Sequence, residues 1–167
     1  VVQGSAAEVL VSQAAPGDHE DNNEPRYLQI LGQMLDGVSA DRAGRPDAAL
    51  TSVMAAAKSY DALPFDFGPP VPIKPPHELA GELLLAARRP KEAVAEFDLS
   101  LRSAPRRALS LLGKARAQAA SGDGVGATRS YRELQTIWQH ADADLPELAE
   151  VRTHRPAADD AAPAGKP

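Results

Sequence analysis

The apolar residues of this chain recur every three to four positions through most of its middle, and the breaks between runs cut it into helix-length pieces. Leu28, Leu31, Leu35 and Val38 carry helical spacing over residues 26–43, where Gly44-Arg45-Pro46 interrupts it. Pro46 opens a second run with Ala49, Val53 and Ala56 on one face, because proline at a first helical position gives up no hydrogen bond. These two runs form hairpin one, residues 26–61. Hairpin two, residues 75–105 (PPHELAGELLLAARRPKEAVAEFDLSLRSAP), turns at Arg89-Pro90. Hairpin three, residues 106–141, turns at Gly122-Asp123-Gly124 and returns with Ala127, Tyr131, Leu134 and Trp138 in helical register. The pattern predicts an all-α protein of antiparallel helix hairpins.

The segments around the hairpins read differently. Residues 62–76 (ALPFDFGPPVPIKPP) concentrate prolines that neither a helix interior nor a central strand accepts, so they are expected to form an ordered loop. Phe65 and Phe67 are expected to seal the seam between hairpins, with a proline-rich lid or partner motif as the alternative. Residues 1–24 predict a short helix over 5–15, ended by Pro16-Gly17, and then an acidic connector. Asp144, with Glu147 three residues on, suggests a helix N-cap, and Leu145, Leu148 and Val151 give a short apolar face, so residues 144–152 are expected to cap the stack. Residues 153–167 have no periodicity and read as a disordered tail.

The hairpins also repeat. Gly81 to Ala115, Ala93 to Ala127 and Phe97 to Tyr131 are each 34 residues apart, whereas Gly37 to Gly81 and Ala49 to Ala93 are 44 apart, an excess that matches the proline loop. Over roughly residues 26–152 this pattern resembles the tetratricopeptide repeat. The matching residues are Gly37, Ala49 and Ala56 in hairpin one, Gly81, Leu84, Ala93, Phe97, Ser100 and Pro105 in hairpin two, and Ala115, Ala127 and Tyr131 in hairpin three. Hairpin one departs from it, with Val53 at the aromatic position and no closing proline. More narrowly, YDALPF with the following GPP and P-x-E-x-x-G-x-x-L-L is similar to the C-terminal repeats of large bacterial tetratricopeptide proteins, which implies further repeats upstream; the absence of an initiating Met fits that expectation.

The resemblance implies a right-handed α-solenoid acting as a non-enzymatic scaffold, with a peptide or protein partner held in a concave groove. Carried over by position, the groove side chains would be Met34, Asp41, Arg42, Glu78, Glu82, Leu85, Leu112 and Arg116. The Lys and Asn pairing with which some members grip a terminal carboxylate is not matched, since Val38, Glu78 and Glu82 stand at the relevant places. A docking domain of a larger enzyme, whose catalytic part lies elsewhere, is the second reading, and a helical-repeat nucleic-acid binder the third.

Composition narrows this only in part. Across 167 residues, 43% are hydrophobic but 4% aromatic, the balance of close-packed helices rather than pleated sheets. A net charge of -5 argues against generic nucleic-acid binding, because a duplex binder displaces counterions with net positive charge. Without cysteine there is no disulfide or thiolate metal site. No apolar run reaches the roughly 20 residues that span a bilayer, and compartment and oligomeric state stay open.

The candidate chemistry is weak. His77-Glu78-Leu79-Ala80-Gly81 begins like a helical zinc-protease motif but has Gly81 where the second histidine belongs, so His77 is read as a helix N-terminal residue and no metal or cofactor is expected. Residues 122–127 satisfy a G-x-G-x-x-A string but follow a helix rather than a strand, and are read as an inter-helix turn. Glu78 and Glu82 share a helix face, yet no nucleophile or oxyanion donor accompanies them in the sequence. Residues 88–116 carry eight Lys or Arg against three acids, without the aromatics that stack single strands, and are read as a solvated face. Trp138 is read as a plug between hairpin three and the cap.

Overall fold

The computed structural model describes residues 23–64 and 72–154. Seven helices run through them: α1 (Glu24–Arg42), α2 (Pro46–Asp61), α3 (Pro76–Ala86), α4 (Pro90–Ser103), α5 (Ala108–Ser121), α6 (Gly124–Ile137) and α7 (Leu148–Thr153). No strand occurs among the described residues. The expected helix at 5–15, most of the acidic connector, the tail beyond His154, and Phe65 and Phe67 lie outside the described residues.

The chain divides into two compact units, Val1–Arg88 and Arg89–Pro167, so the division falls in the turn assigned to hairpin two. In unit 1, α1 packs on α2 and α2 on α3; in unit 2, α4 packs on α5, α5 on α6 and α6 on α7.

The turns repeat in the backbone as well as in the sequence. Gly44, Arg88 and Gly122 all adopt positive φ (70°, 58° and 86°), 44 and then 34 residues apart, and two residues after each a helix opens, at Pro46, Pro90 and Gly124. A left-handed residue satisfies the last carbonyls of one helix and reverses the chain, which glycine does without Cβ strain. Arg88 does it with a side chain, a departure that the sequence does not announce. At the third turn, Gly122 ends α5 and the Asp123 carboxylate caps α6 by accepting the Gly126 N–H at 2.8 Å. Residues 122–127 are therefore a helix stop followed by a helix start.

Unit 1 is built on Ile30, Met34, Val53, Ala56, Leu79 and Ala80. The closest approach is between α1 and α2: a Cβ on Gly37 would collide with Val53 and stand 3.1 Å from the Ala49 carbonyl. This contact fixes the rotation of α1 and corrects the expected apolar face. The buried stripe is Ile30, Met34, Gly37 and Ala40, while Leu28, Leu31 and Val38 are half-buried and Leu35 is 55% exposed. Pairing backbones closely favours the stripe with the smallest residues over the stripe with the most leucines.

Unit 2 uses aromatic side chains at corresponding places. Phe97 of α4 is fully buried, and its ring fills the space where a Cβ on Gly113 of α5 would stand. Leu111, Leu112, Ala115, Tyr131, Leu134 and Val151 form the main cluster, with Ile137 and Trp138 packed against it. Most buried hydroxyls are paired, Ser100 with Ser110 at 2.9 Å and Ser130 donating to Gln118 at 2.7 Å, whereas the Thr128 hydroxyl is buried without a hydrogen-bond partner among the described residues. Such pairing removes most of the penalty of dehydrating them.

The terminal helix differs from its expected form. It begins at Leu148 rather than after Asp144, and its N-cap, Glu147, makes no side-chain hydrogen bond. Residues 146–147 form a turn, so the anticipated capping box is not formed. Pro146 disfavours helical backbone at the residue before it, Leu145, so a helix cannot run straight on from Asp144 and starts after the proline instead.

Candidate functional site

The eight side chains assigned to a groove do not all reach the surface. Met34 and Leu112 belong to the cores of their units, 8% and 2% exposed, and have no area left for a partner. Glu78 is completely buried and engaged within the protein. The rotation of α1 explains Met34, and the entry of Val151 beside Leu112 explains the latter.

The remaining five are accessible. Asp41 and Arg42 are exposed at the end of α1, and Leu85 is half-buried on α3. Glu82 is held by Lys74 from the proline loop, with Nζ donating to both carboxylate oxygens at 2.8 and 2.6 Å. Asp41, Arg42, Glu82 and Leu85 thus sit on unit 1, where the second stripe of α1 adds the exposed Leu35 and the half-buried Leu31, while Val38 packs against the core. That stripe is the feature sequence reasoning placed on the wrong side. The signal that would have found it is Gly37, which marks the face of closest approach.

Arg116 belongs to unit 2 and is already occupied. Its guanidinium grips Glu150 of α7 with two fingers, Nε at 3.0 Å from Oε1 and the terminal nitrogen at 2.5 Å from Oε2. Glu150 Oε1 also accepts the Tyr131 hydroxyl at 2.6 Å, and the Tyr131 ring stacks on His154 with centroids 3.9 Å apart. Gln135 of α6 donates to the Val151 carbonyl at 2.6 Å. The electrostatics follow: the hydrogen bond from Arg116, reinforced by that from Tyr131 and opposed by partial burial, holds the Glu150 carboxyl below the usual carboxylate range. Burial, then the hydrogen bond to Glu150, pushes the Tyr131 phenol well up, so it remains a neutral donor. Hydrogen bonding to Glu150 likewise raises Arg116.

The basic stretch is partly neutralised. Arg89 pairs with Glu92, Lys114 with Asp98 and Arg116 with Glu150, which takes three cations out of the positive face. His77 lies 3.0 Å from Asp61 through Nε2, is 4% exposed, and ties α3 to the end of α2. Among the described residues no group of three or more His, Asp or Glu is placed to hold a metal ion, and no helix is long and apolar enough to cross a membrane.

No protein-family model, curated protein or solved structure matches this chain. Its functional reading therefore rests on its own residues.

Proposed function

We propose that the chain is a tetratricopeptide-like helical repeat, a right-handed α-solenoid that acts as a non-enzymatic scaffold and binds a peptide or protein helix. The observation that carries this reading is the stripe of α1. Leu35 is 55% exposed beside the half-buried Leu28, Leu31 and Val38, and the helix ends in the free surface of Asp41 and Arg42. An apolar stripe that ends in charges of both signs suits an amphipathic helix or extended peptide, with apolar contact for affinity and the charges for orientation. The recurring turn register at Gly44, Arg88 and Gly122 supports the repeat half of the proposal, because one backbone device is used at each corresponding turn.

The test is a selection of displayed peptides against the full chain, followed by binding to Leu35→Asp and to Asp41→Ala/Arg42→Ala variants whose helical circular dichroism is unchanged. Selected peptides should lose at least tenfold in affinity on Leu35→Asp. Equal affinity for all three proteins would remove α1 from the binding surface.

A further inference from the structure

The last helix is a weak tenant of a well-made site. It has six residues, far below the length at which an isolated helix holds itself together, and its N-cap makes no side-chain hydrogen bond. Leu148 and Val151 are its buried apolar side chains, 3% and 0% exposed, and Val151 enters the cluster of Leu111, Leu112, Ala115, Tyr131 and Leu134. Its remaining ties are polar and partly solvated: the Arg116–Glu150 pair is 43% and 36% exposed. Residues 138–147, on which it hangs, contain no helix.

The trough beneath is more substantial. Leu111, Leu112, Ala115, Tyr131 and Leu134 are supplied by α5 and α6, which pack on each other along their length, and α7 adds only Val151 to the cluster. Arg116 stands at its edge with a bidentate fork, a geometry suited to one carboxylate. The register says why α7 fits. Arg116 and Glu150 are 34 residues apart, as are Gly81, Ala115 and Ala149, so α7 lies at the register of the first helix of a next repeat, with a small residue at the matching place.

We propose that this trough is a docking site for a partner helix that carries Leu-small-Glu-Val at consecutive positions, and that α7 occupies it in cis until such a helix displaces it. The proposal rests on the scaffold reading above and adds a second surface to it, on unit 2. The apolar residue at the fourth position takes the place of Val151 in the trough, the one at the first takes the buried place of Leu148, and the carboxylate at the third meets Arg116 and the Tyr131 hydroxyl. An acidic helix is favoured and a basic one is rejected by Arg116.

The test uses a labelled peptide with the sequence of residues 144–154, DLPELAEVRTH, added to the full chain carrying Leu148→Asp/Val151→Asp. Fluorescence anisotropy should show saturable binding at least tenfold tighter than to the unaltered chain, whose trough is filled. Adding Arg116→Ala should weaken it about tenfold, a loss on the scale of one charged hydrogen-bonded contact. Binding no tighter to the variant than to the unaltered chain, with helical circular dichroism retained, overturns the proposal. If the double variant does not fold, hydrogen exchange on the unaltered chain decides. The amides of Val151 and His154 should exchange at least a hundredfold faster than those of Leu111 and Ala127, and equal protection would show that α7 is not displaceable. The Leu35→Asp and Asp41→Ala/Arg42→Ala variants alter α1 alone, and Leu148→Asp/Val151→Asp and Arg116→Ala alter the trough alone, so either surface can fail without the other.

Discussion

The two units solve the same packing problem with different side chains. In unit 1 the helices of hairpin one close over Gly37, and the side chain that meets it is Val53; in unit 2 the residue at the register of Val53 is Phe97, and the glycine it meets is Gly113 of the next hairpin. Valine permits a short reach between α1 and α2, and the result is a core of aliphatic side chains and alanine with Leu35 left outside. A phenylalanine fills more volume, and unit 2 then adds polar ties around its aromatics, including Ser100–Ser110, Gln118–Ser130 and the Tyr131–Glu150–Arg116 set. One repeat register thus takes valine in unit 1 and an aromatic side chain in unit 2. Which unit offers which surface follows from that choice: unit 1 exposes an apolar stripe, whereas unit 2 covers its trough with α7.

The largest effect should come from the aromatic knob. Phe97→Ala is expected to cost unit 2 about 3–5 kcal/mol, because the ring is fully buried against Gly113 and little can move in to replace it. Val53→Ala in unit 1 should cost about 2 kcal/mol, in line with the smaller apolar area lost. Urea unfolding of both variants tests the comparison directly. Equal losses would mean that knob size does not set the difference between the units.

Arg88→Gly should stabilise by about 1 kcal/mol, since a left-handed residue without Cβ escapes the strain that L side chains meet there. Gly122→Ala at the corresponding turn should destabilise by a similar amount, about 1 kcal/mol. A chain in which the two changes act in the same direction would break the equivalence of the turns. Thermal unfolding supplies the measurement.

The smallest effect concerns the attachment of α7. Glu150 has a lowered carboxyl pKa in the folded chain, so its contribution is full above the ordinary carboxylate value and disappears as pH falls through the lowered value. With a half-exposed pair this is worth about 0.5–1 kcal/mol. Trp138 is the sole tryptophan and packs on the unit 2 cluster, so its emission should shift in acid before global helicity falls. Glu150→Gln should abolish that acid step, and an unchanged step would assign it to another carboxylate.

Much of the architecture was readable from the residues. Prolines and glycines located the turns at 44–46, 89–90 and 122–124, and the apolar spacing gave helices within a few residues of their observed ends. These are local signals: a backbone that lacks an N–H or a Cβ changes direction where it stands, whatever surrounds it. The small and aromatic positions at Gly37, Ala49, Ala93, Phe97, Ala127 and Tyr131 were legible for the same reason, and all six are buried.

The faces were less legible. On α1, two apolar stripes lie side by side, Leu28–Leu31–Leu35–Val38 and Ile30–Met34–Gly37–Ala40, and helical spacing supports both. Only the close approach of Gly37 to Val53, which leaves no room for a Cβ, selects the second, with Met34 in the core and Leu35 in solvent. Leu112 was lost to the surface through Val151, a residue 39 positions away, and Arg116 was matched with Glu150 across 34. The sequence by itself therefore determined where the helices begin and end and which positions are small, because each depends on the covalent nature of a residue and its near neighbours. Tertiary structure alone decided which face of each helix is covered and which charges find a partner, because burial is a property of what packs against a side chain and not of the side chain itself.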